Sequence, residues 1–161
     1  MTPVTFTDTQ TWYAGLATMY GAAGALITRR NGILLVKPNY RDHWSVPGGV
    51  LEHGEPPHAG CAREVAEEVG LSITAGPLLV VDWLPPDRER PRPFVHFIFD
   101  GGEIEPDAGI RLQAEELDDY RFVAPGDLSA YVPPFLRARY SAALAARAAG
   151  GAVYLPAQVT G

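Results

Sequence analysis

Glu64, Glu67 and Glu68 stand at i, i+3 and i+4, a spacing that gathers carboxylates on one face of a helix. Hard oxygen donors grouped in this way suit a divalent cation. The competing reading is an ordinary solvated helix face. Local physics weighs against it. Glu67 and Glu68 fall in the last turn before Gly70, where the negative end of the helix dipole disfavours anions. The Glu64–Glu68 like-charge pair adds a cost of roughly 0.2–0.5 kcal/mol. Arg63 is the cation beside them. A segment that breaks its local rules in this way marks a functional site, and a bound divalent cation is the simplest compensation.

The carboxylates belong to a longer pattern, Gly49–Leu71, which reads GVLEHGEPPHAGCAREVAEEVGL. Gly49, then Glu55, then the run Arg63-Glu64-Val65-Ala66-Glu67-Glu68-Val69-Gly70-Leu71 satisfy G-x5-E-x7-R-E-U-x-E-E-x-G-U, where U is apolar. On those residues the segment is identified as a Nudix box, and the chain resembles the Nudix family. Trp44-Ser45-Val46-Pro47-Gly48-Gly49 resembles the family's usual entry to the box, and Tyr120-Arg121-Phe122-Val123 a usual later strand. The box itself spans about a seventh of the 161 residues.

The resemblance implies an α/β fold, a Nudix-type α/β/α sandwich with a mixed central sheet. It implies hydrolysis of a nucleoside diphosphate linked to another moiety. Such a pyrophosphate resists water because its oxygens repel a nucleophile, so catalysis rests on neutralising charge and holding a water in line. Magnesium suits this work, because it takes carboxylate, phosphate and water oxygens and acidifies a bound water; manganese is an expected substitute. Spacing and resemblance together assign Glu64, Glu67 and Glu68 as metal ligands, and the resemblance adds the main-chain carbonyl of Gly48. It also implies that Arg63 orients Glu64, that Glu55 supports the loop and the helix start, and that Gly49 and Gly70 are structural. For the general base it leaves Glu64 and a later acid, Glu116 before Glu115, open; a solvated turn is the competing reading of that acidic run.

Substrate residues are sought around the box. Arg41, just upstream, and Arg88 and Arg90, with Arg92, in a proline-stiffened loop are candidates to reach a phosphate or ribose, against a solvent-facing basic loop. Trp83 is a candidate to stack on a base, against burial in the core. His96 lies mid-strand and faces either a cleft or a hydrogen-bonded core. The expected substrates are a nucleoside triphosphate or modified nucleotide, or an ADP-sugar. A nucleotide-binding sensor without catalysis and a hydrolase of RNA 5′ ends are the alternatives.

Several elements must position these groups. Residues 8–19 read as an N-terminal helix capped by Asp8, with Trp12, Leu16 and Met19 on one side. Residues 23–28 and 33–37 read as strands joined by Asn31-Gly32, where both residues must accept positive φ. Pro56-Pro57 opens the box helix and Gly70 closes it, with Cys61, Ala62, Val65 and Val69 as its apolar stripe. Residues 71–82 read as largely extended with a kink at Gly76-Pro77, and 83–93 as an exposed loop. Residues 94–100 and 117–123 read as strands, Gly101-Gly102 as a turn, and 134–149 as a C-terminal helix.

The whole chain, 1–161, is expected to be one domain, long enough for a core. Its apolar and charged fractions, 47% and 20%, are those of a soluble globular protein. Net charge is −6, which disfavours duplex DNA and anionic membranes as partners. A small-molecule nucleotide remains open, since metal ions and local arginines reverse the field inside a cleft. The single cysteine, Cys61, excludes an internal disulfide and reads as a small buried residue. No leader pattern or apolar run of spanning length is read, so the expected location is the cytoplasm. The resemblance also admits a homodimer.

Overall fold

In the strand that begins at Gly32, the run Ile33, Leu34, Leu35 and Val36 is at most 1% exposed, so neither of its faces meets water. A strand reads as such a continuous apolar run when layers cover both sides of its sheet. The computed structural model, which describes residues 8–156, has this arrangement. Residues 1–7 and 157–161 of the expected single domain, including the start where no leader is read, lie outside the described residues.

The elements run α1 (Thr9–Ala14), β1 (Tyr20–Arg29), β2 (Gly32–Pro38), β3 (Gly48–Val50), α2 (Pro57–Val69), β4 (Leu78–Leu84), β5 (Phe94–Glu103), β6 (Leu117–Val123), a 3-10 helix (Pro125–Ala130), α3 (Pro134–Ala149) and β7 (Val153–Pro156). The sheet order is β6-β2-β1-β5-β4-β7, with β3 paired to β1. β1 runs parallel to β5 and β4 to β7, while the other pairs are antiparallel. The sheet is therefore mixed, as expected. Side chains that alternate along the strands divide the core in two. Leu26, Ile33, Leu35 and Ile98 pack with Leu136 and Tyr140 of α3. Ala25, Ile27, Leu34 and Val36 pack with Cys61, Val65 and Val69 of α2. Helices thus cover the two faces of one sheet, an α/β/α sandwich. No described helix is long and apolar enough to cross a membrane.

β6 and α3 span the expected residues. Other segments differ. α1 stops at Ala14, and Leu16 and Met19 are exposed; so short a helix buries nothing that would sustain further turns. The β1–β2 connection places its positive φ on Arg30 (55°), not on Asn31-Gly32. Gly32 instead pairs with Arg29, and a Cβ on it would lie 2.9 Å from that of Phe122. Residues 71–77 hold no helix and bend at Pro77, near the expected kink, but the strand β4 that follows runs on past residue 82 through Trp83 to Leu84, into the expected loop. Gly101-Gly102 does not turn the chain. β5 continues through it, with a register shift between Leu26 and Ile27 of β1 that leaves Gly101 unpaired. Such a bulge absorbs the extra residue and bends the strand. On α2 the buried set is Gly60, Cys61, Val65, Glu68 and Val69. Ala62 is only partly buried, and a glutamate lies among the buried side chains.

Candidate active site

β1 shares one of its edges between two partners, β2 at residues 28 and 29 and β3 at residues 22 to 24. β3 is thereby laid against the N-terminal half of β1, and the helix that follows brings its buried side to the same place. Gly48 and Gly49 permit the close approach. A Cβ on Gly48 would lie 2.5 Å from the Cα of Gly24, and one on Gly49 would lie 2.5 Å from the carboxylate carbon of Glu64. Any side chain at position 49 would displace that carboxylate.

Arg63 organises the acidic groups around it. Its Nε and Nη2 donate to the two oxygens of Glu55 at 2.8 and 3.0 Å, a bidentate fork. Nη1 donates to Glu64 Oε1 at 2.9 Å and to Glu67 Oε2 at 3.0 Å, and Nη2 also reaches the Val50 carbonyl at 3.2 Å. Glu55 in turn accepts from the Glu52 amide at 3.0 Å, which closes the loop ahead of α2. Arg63 and then that amide hold the Glu55 carboxyl down at about 2.

The other carboxylates meet opposite conditions. Glu68 is 6% exposed. Burial, supported by repulsion from Glu64, Glu116 and Glu67, raises its carboxyl to about 8 against one bond from the Gly48 amide. That bond, from the Gly48 N–H to Glu68 Oε2, measures 2.9 Å. Burial also raises Glu64, opposed by Arg63 and assisted by Glu67 and Glu116. Glu64, Glu68 and Glu116 thus press on one another electrostatically where water is scarce.

All three, with Gly48 and Gly49, line a cleft of about 520 Å³, within the usual range for a small-molecule site. Its other part is different in kind. There His96 stacks on Phe94 with centroids 4.6 Å apart and planes at 22°, beside Arg41, Arg90 and Arg139. Burial and then these three arginines press the His96 imidazole down to about 3, so it is neutral at any ordinary pH. Tyr140, whose hydroxyl accepts the Val46 amide at 3.0 Å, feels both Glu68 and the arginines and stands between the two regions.

Of the residues expected from sequence, Glu64, Glu68, Glu116, Gly48, Arg41, Arg90 and His96 line this cleft. Glu67 does not: its side chain is 51% exposed and turned onto Arg63. Among the described residues no three His, Cys, Asp or Glu side chains converge closely enough, as placed, to hold a metal ion. Glu67 is thus the one carboxylate of the i, i+3, i+4 trio that stands off the cleft. By donor chemistry, the oxygens of Glu64, Glu68 and Glu116 on one cleft fit a hard divalent cation. Trp83 does not line the cleft either, because alternation along β4 sends Asp82 and Leu84 toward α3 and Trp83 to the other face. Arg88 is exposed and off the cleft, as is Arg92, whose guanidinium lies 5.9 Å from the Tyr20 ring. Glu115 is also off the cleft, with its carbonyl taken by the Asn39 side chain. Arg139 was not foreseen. Its signal was a charge within the apolar stripe of α3, between Leu136 and Tyr140.

A family model described as NUDIX domain matches residues 19–145. A MutT-like protein of Streptomyces ambofaciens is 28% identical over 107 residues, covering 66% of this chain and 64% of that protein. An RNA pyrophosphohydrolase of Nitratiruptor sp. is 30% identical over 112 residues, covering 64% of this chain and 72% of that one. Among solved structures, a MutT protein from Methanosarcina mazei Go1 superposes with a TM-score of 0.69 at 22% identity, covering 81% of this chain and 96% of that one. That likeness speaks to the fold.

Proposed function

The chain belongs to the Nudix family, and on that premise we propose that it is a magnesium-dependent pyrophosphohydrolase of nucleoside diphosphate derivatives. The observation that carries this reading is the convergence of Glu64, Glu68 and Glu116 on one cleft floored by glycine main chain. Those carboxylates would hold the cation, with the Gly48 main chain beside them. When bound, magnesium neutralises phosphate charge and acidifies a coordinated water.

The residues of the chain supply the rest. Arg63 fixes the Glu64 carboxylate through Nη1 and is itself fixed by Glu55, so the fork sets an orientation and does not contact substrate. Gly48 and Gly49 let main chain approach the phosphates where a side chain would block them. Two carboxylates that line the cleft, Glu64 and Glu116, are the candidates to take the proton of the attacking water, and substitution at each in turn distinguishes them. The product is a mononucleotide, with the other moiety released as its phosphate. The single cysteine is buried, in keeping with a reducing, cytoplasmic setting.

The similarity to a protein named RNA pyrophosphohydrolase raises RNA 5′ ends as a second substrate class. Net charge of −6 and a cleft partly lined by carboxylates oppose a long polyanion, so small nucleotides are the favoured class. The test is turnover of nucleoside triphosphates, dinucleoside polyphosphates and ADP-sugars with magnesium. The expected result is mononucleotide release that Glu68→Gln lowers about 100-fold, the scale of losing one preorganised electrostatic group. Full turnover by Glu68→Gln sinks the metal assignment, and tight binding with no product makes the protein a sensor.

A further inference from the structure

Resting on the reading of Glu116 above, we infer that Asn39 is a positioning residue that holds the Glu116 carboxylate on the cleft by way of the main chain. Asn39 follows Pro38, the last residue of β2, and supplies two donors where proline has none. Its main-chain N–H donates to the Glu116 carbonyl at 2.9 Å, and its side-chain Nδ2 donates to the Glu115 carbonyl at 2.8 Å. Those carbonyls belong to the peptide planes on either side of the Glu116 Cα. With both planes held, the Cα–Cβ bond of Glu116 has a fixed direction and only its side-chain torsions stay free. Asn39 itself is exposed and does not line the cleft, whereas Pro38, Tyr40, Arg41 and Glu116 do. It is therefore placed to act on Glu116 and not on a substrate.

The anchors on both sides are stiff. Lys37 Nζ donates to the Pro38 carbonyl at 2.8 Å and to the Arg41 carbonyl, so one ammonium gathers the segment that carries Asn39. In the β2–β6 ladder Lys37 pairs with Asp119 and Pro38 with Leu117, a register shift that passes over Asp118. The two bonds from Asn39 carry the attachment beyond that irregularity to Glu116 and Glu115. On the far side, the Glu116 and Leu117 amides donate to the Gln113 carbonyl at 3.1 and 2.9 Å, and the Gln113 amide donates to the Glu68 carbonyl at 3.0 Å. The Glu116 turn is thus strung between the end of β2 and the last turn of α2, the helix that carries Glu64 and Glu68. Such a mount answers a physical problem. Burial raises the Glu64 and Glu68 carboxyls, and the charge of Glu116 adds to the rise in both, so the acids repel. An exposed acid on a loose turn would gain freedom and lower repulsion by swinging into water. Holding its main chain keeps the charge on the cleft.

Asn39 is a surface residue, so Asn39→Ala is expected to fold and to lose only the side-chain bond. Its kcat, on whichever nucleotide of the panel above is turned over, is expected to fall about fivefold with KM unchanged, the scale of one neutral hydrogen bond. Glu116→Gln should lower kcat further. Adding Asn39→Ala to it should cost nothing more, because a residue that acts through Glu116 has nothing left to act on. Amide hydrogen exchange gives a readout without turnover. Exchange at Glu116 and Leu117 is expected to speed about fivefold in Asn39→Ala, with that of Leu35 in the core of β2 unchanged. An unchanged kcat, a rise in KM in its place, losses that multiply in the double variant or unchanged exchange at Glu116 each overturn the inference. Full turnover by Glu116→Gln overturns it too and leaves the enzyme in place. A wild type without turnover whose exchange still responds to Asn39→Ala keeps the mount and removes the enzyme.

Discussion

α2 and α3 share a plan. Each opens on a proline pair, Pro56-Pro57 or Pro133-Pro134, and closes on a left-handed glycine, Gly70 at φ 70° or Gly150 at φ 76°. Each lies on one face of the same sheet and carries charge on its inward side. On α3 that charge is matched. Arg139 pairs with Asp82, and Arg147 grips Asp100 at 2.6 and 3.1 Å while it also donates to Thr28 Oγ1 at 2.9 Å and the Leu26 carbonyl at 2.5 Å. On α2 the carboxylates of Glu64 and Glu68 face another acid, Glu116, and Arg63 restrains only the first of them. The difference separates two uses of buried charge. A matched pair holds the fold, whereas a crowd of like charges calls for a partner from outside.

Breaking the matched side has the largest expected effect. Asp82→Ala leaves Arg139 as a buried cation without its counter-ion and is expected to cost about 3–5 kcal/mol, read by urea unfolding. Glu68→Gln on α2 reverses the outcome. Turnover falls about 100-fold, yet the unfolding midpoint stays level or rises, because a buried acid whose ionisation is opposed by burial and by its neighbours gives way to a neutral amide of the same shape. A large loss of stability in Glu68→Gln would place it with the α3 pairs and erase the contrast.

A third test uses pH at the boundary. His96 faces Arg139 from α3, Arg90 from the 85–93 loop and Arg41 from the segment after β2, and these with burial depress its imidazole to about 3 in the folded protein. The unfolded chain takes up that proton near 6.5, so it binds more protons between those values, and folding stability is lost as pH falls from 6.5 toward 3. Relative to its own value at pH 7, the wild type at pH 4.5 should lose on the order of 2 kcal/mol more than His96→Gln. Parallel losses would mean that His96 is not held neutral. The smallest effect is expected from Arg63→Lys. It keeps the charge but not the fork to Glu55 and Glu64, and should lower kcat about tenfold with little change in KM, as when a positioning partner is lost. An unchanged kcat would make the fork dispensable.

Much of the architecture was legible along the chain. β6 and α3 match their expected bounds because alternation, a proline start and a glycine stop are local signals. α1 fell short because a helix of that size needs packing that no local pattern reports. The strand continued past Gly101-Gly102 because pairing with β1 outweighed the turn preference of two glycines.

The box is a matter of sequence alone: residue types at fixed spacing on one helix put Arg63 beside Glu64 and Glu67, whereas the burial of Glu68 appears only once the helix lies on the sheet. Which acids share a cleft was settled elsewhere, because Glu116 arrives from β6's entry and Glu67 turns away to Arg63. The choice of Arg90 over Arg88 and Arg92, the exclusion of Trp83 and the appearance of Arg139 also belong to tertiary structure. Spacing acts over one helical turn, while burial and charge matching depend on elements that meet only when the sheet is assembled.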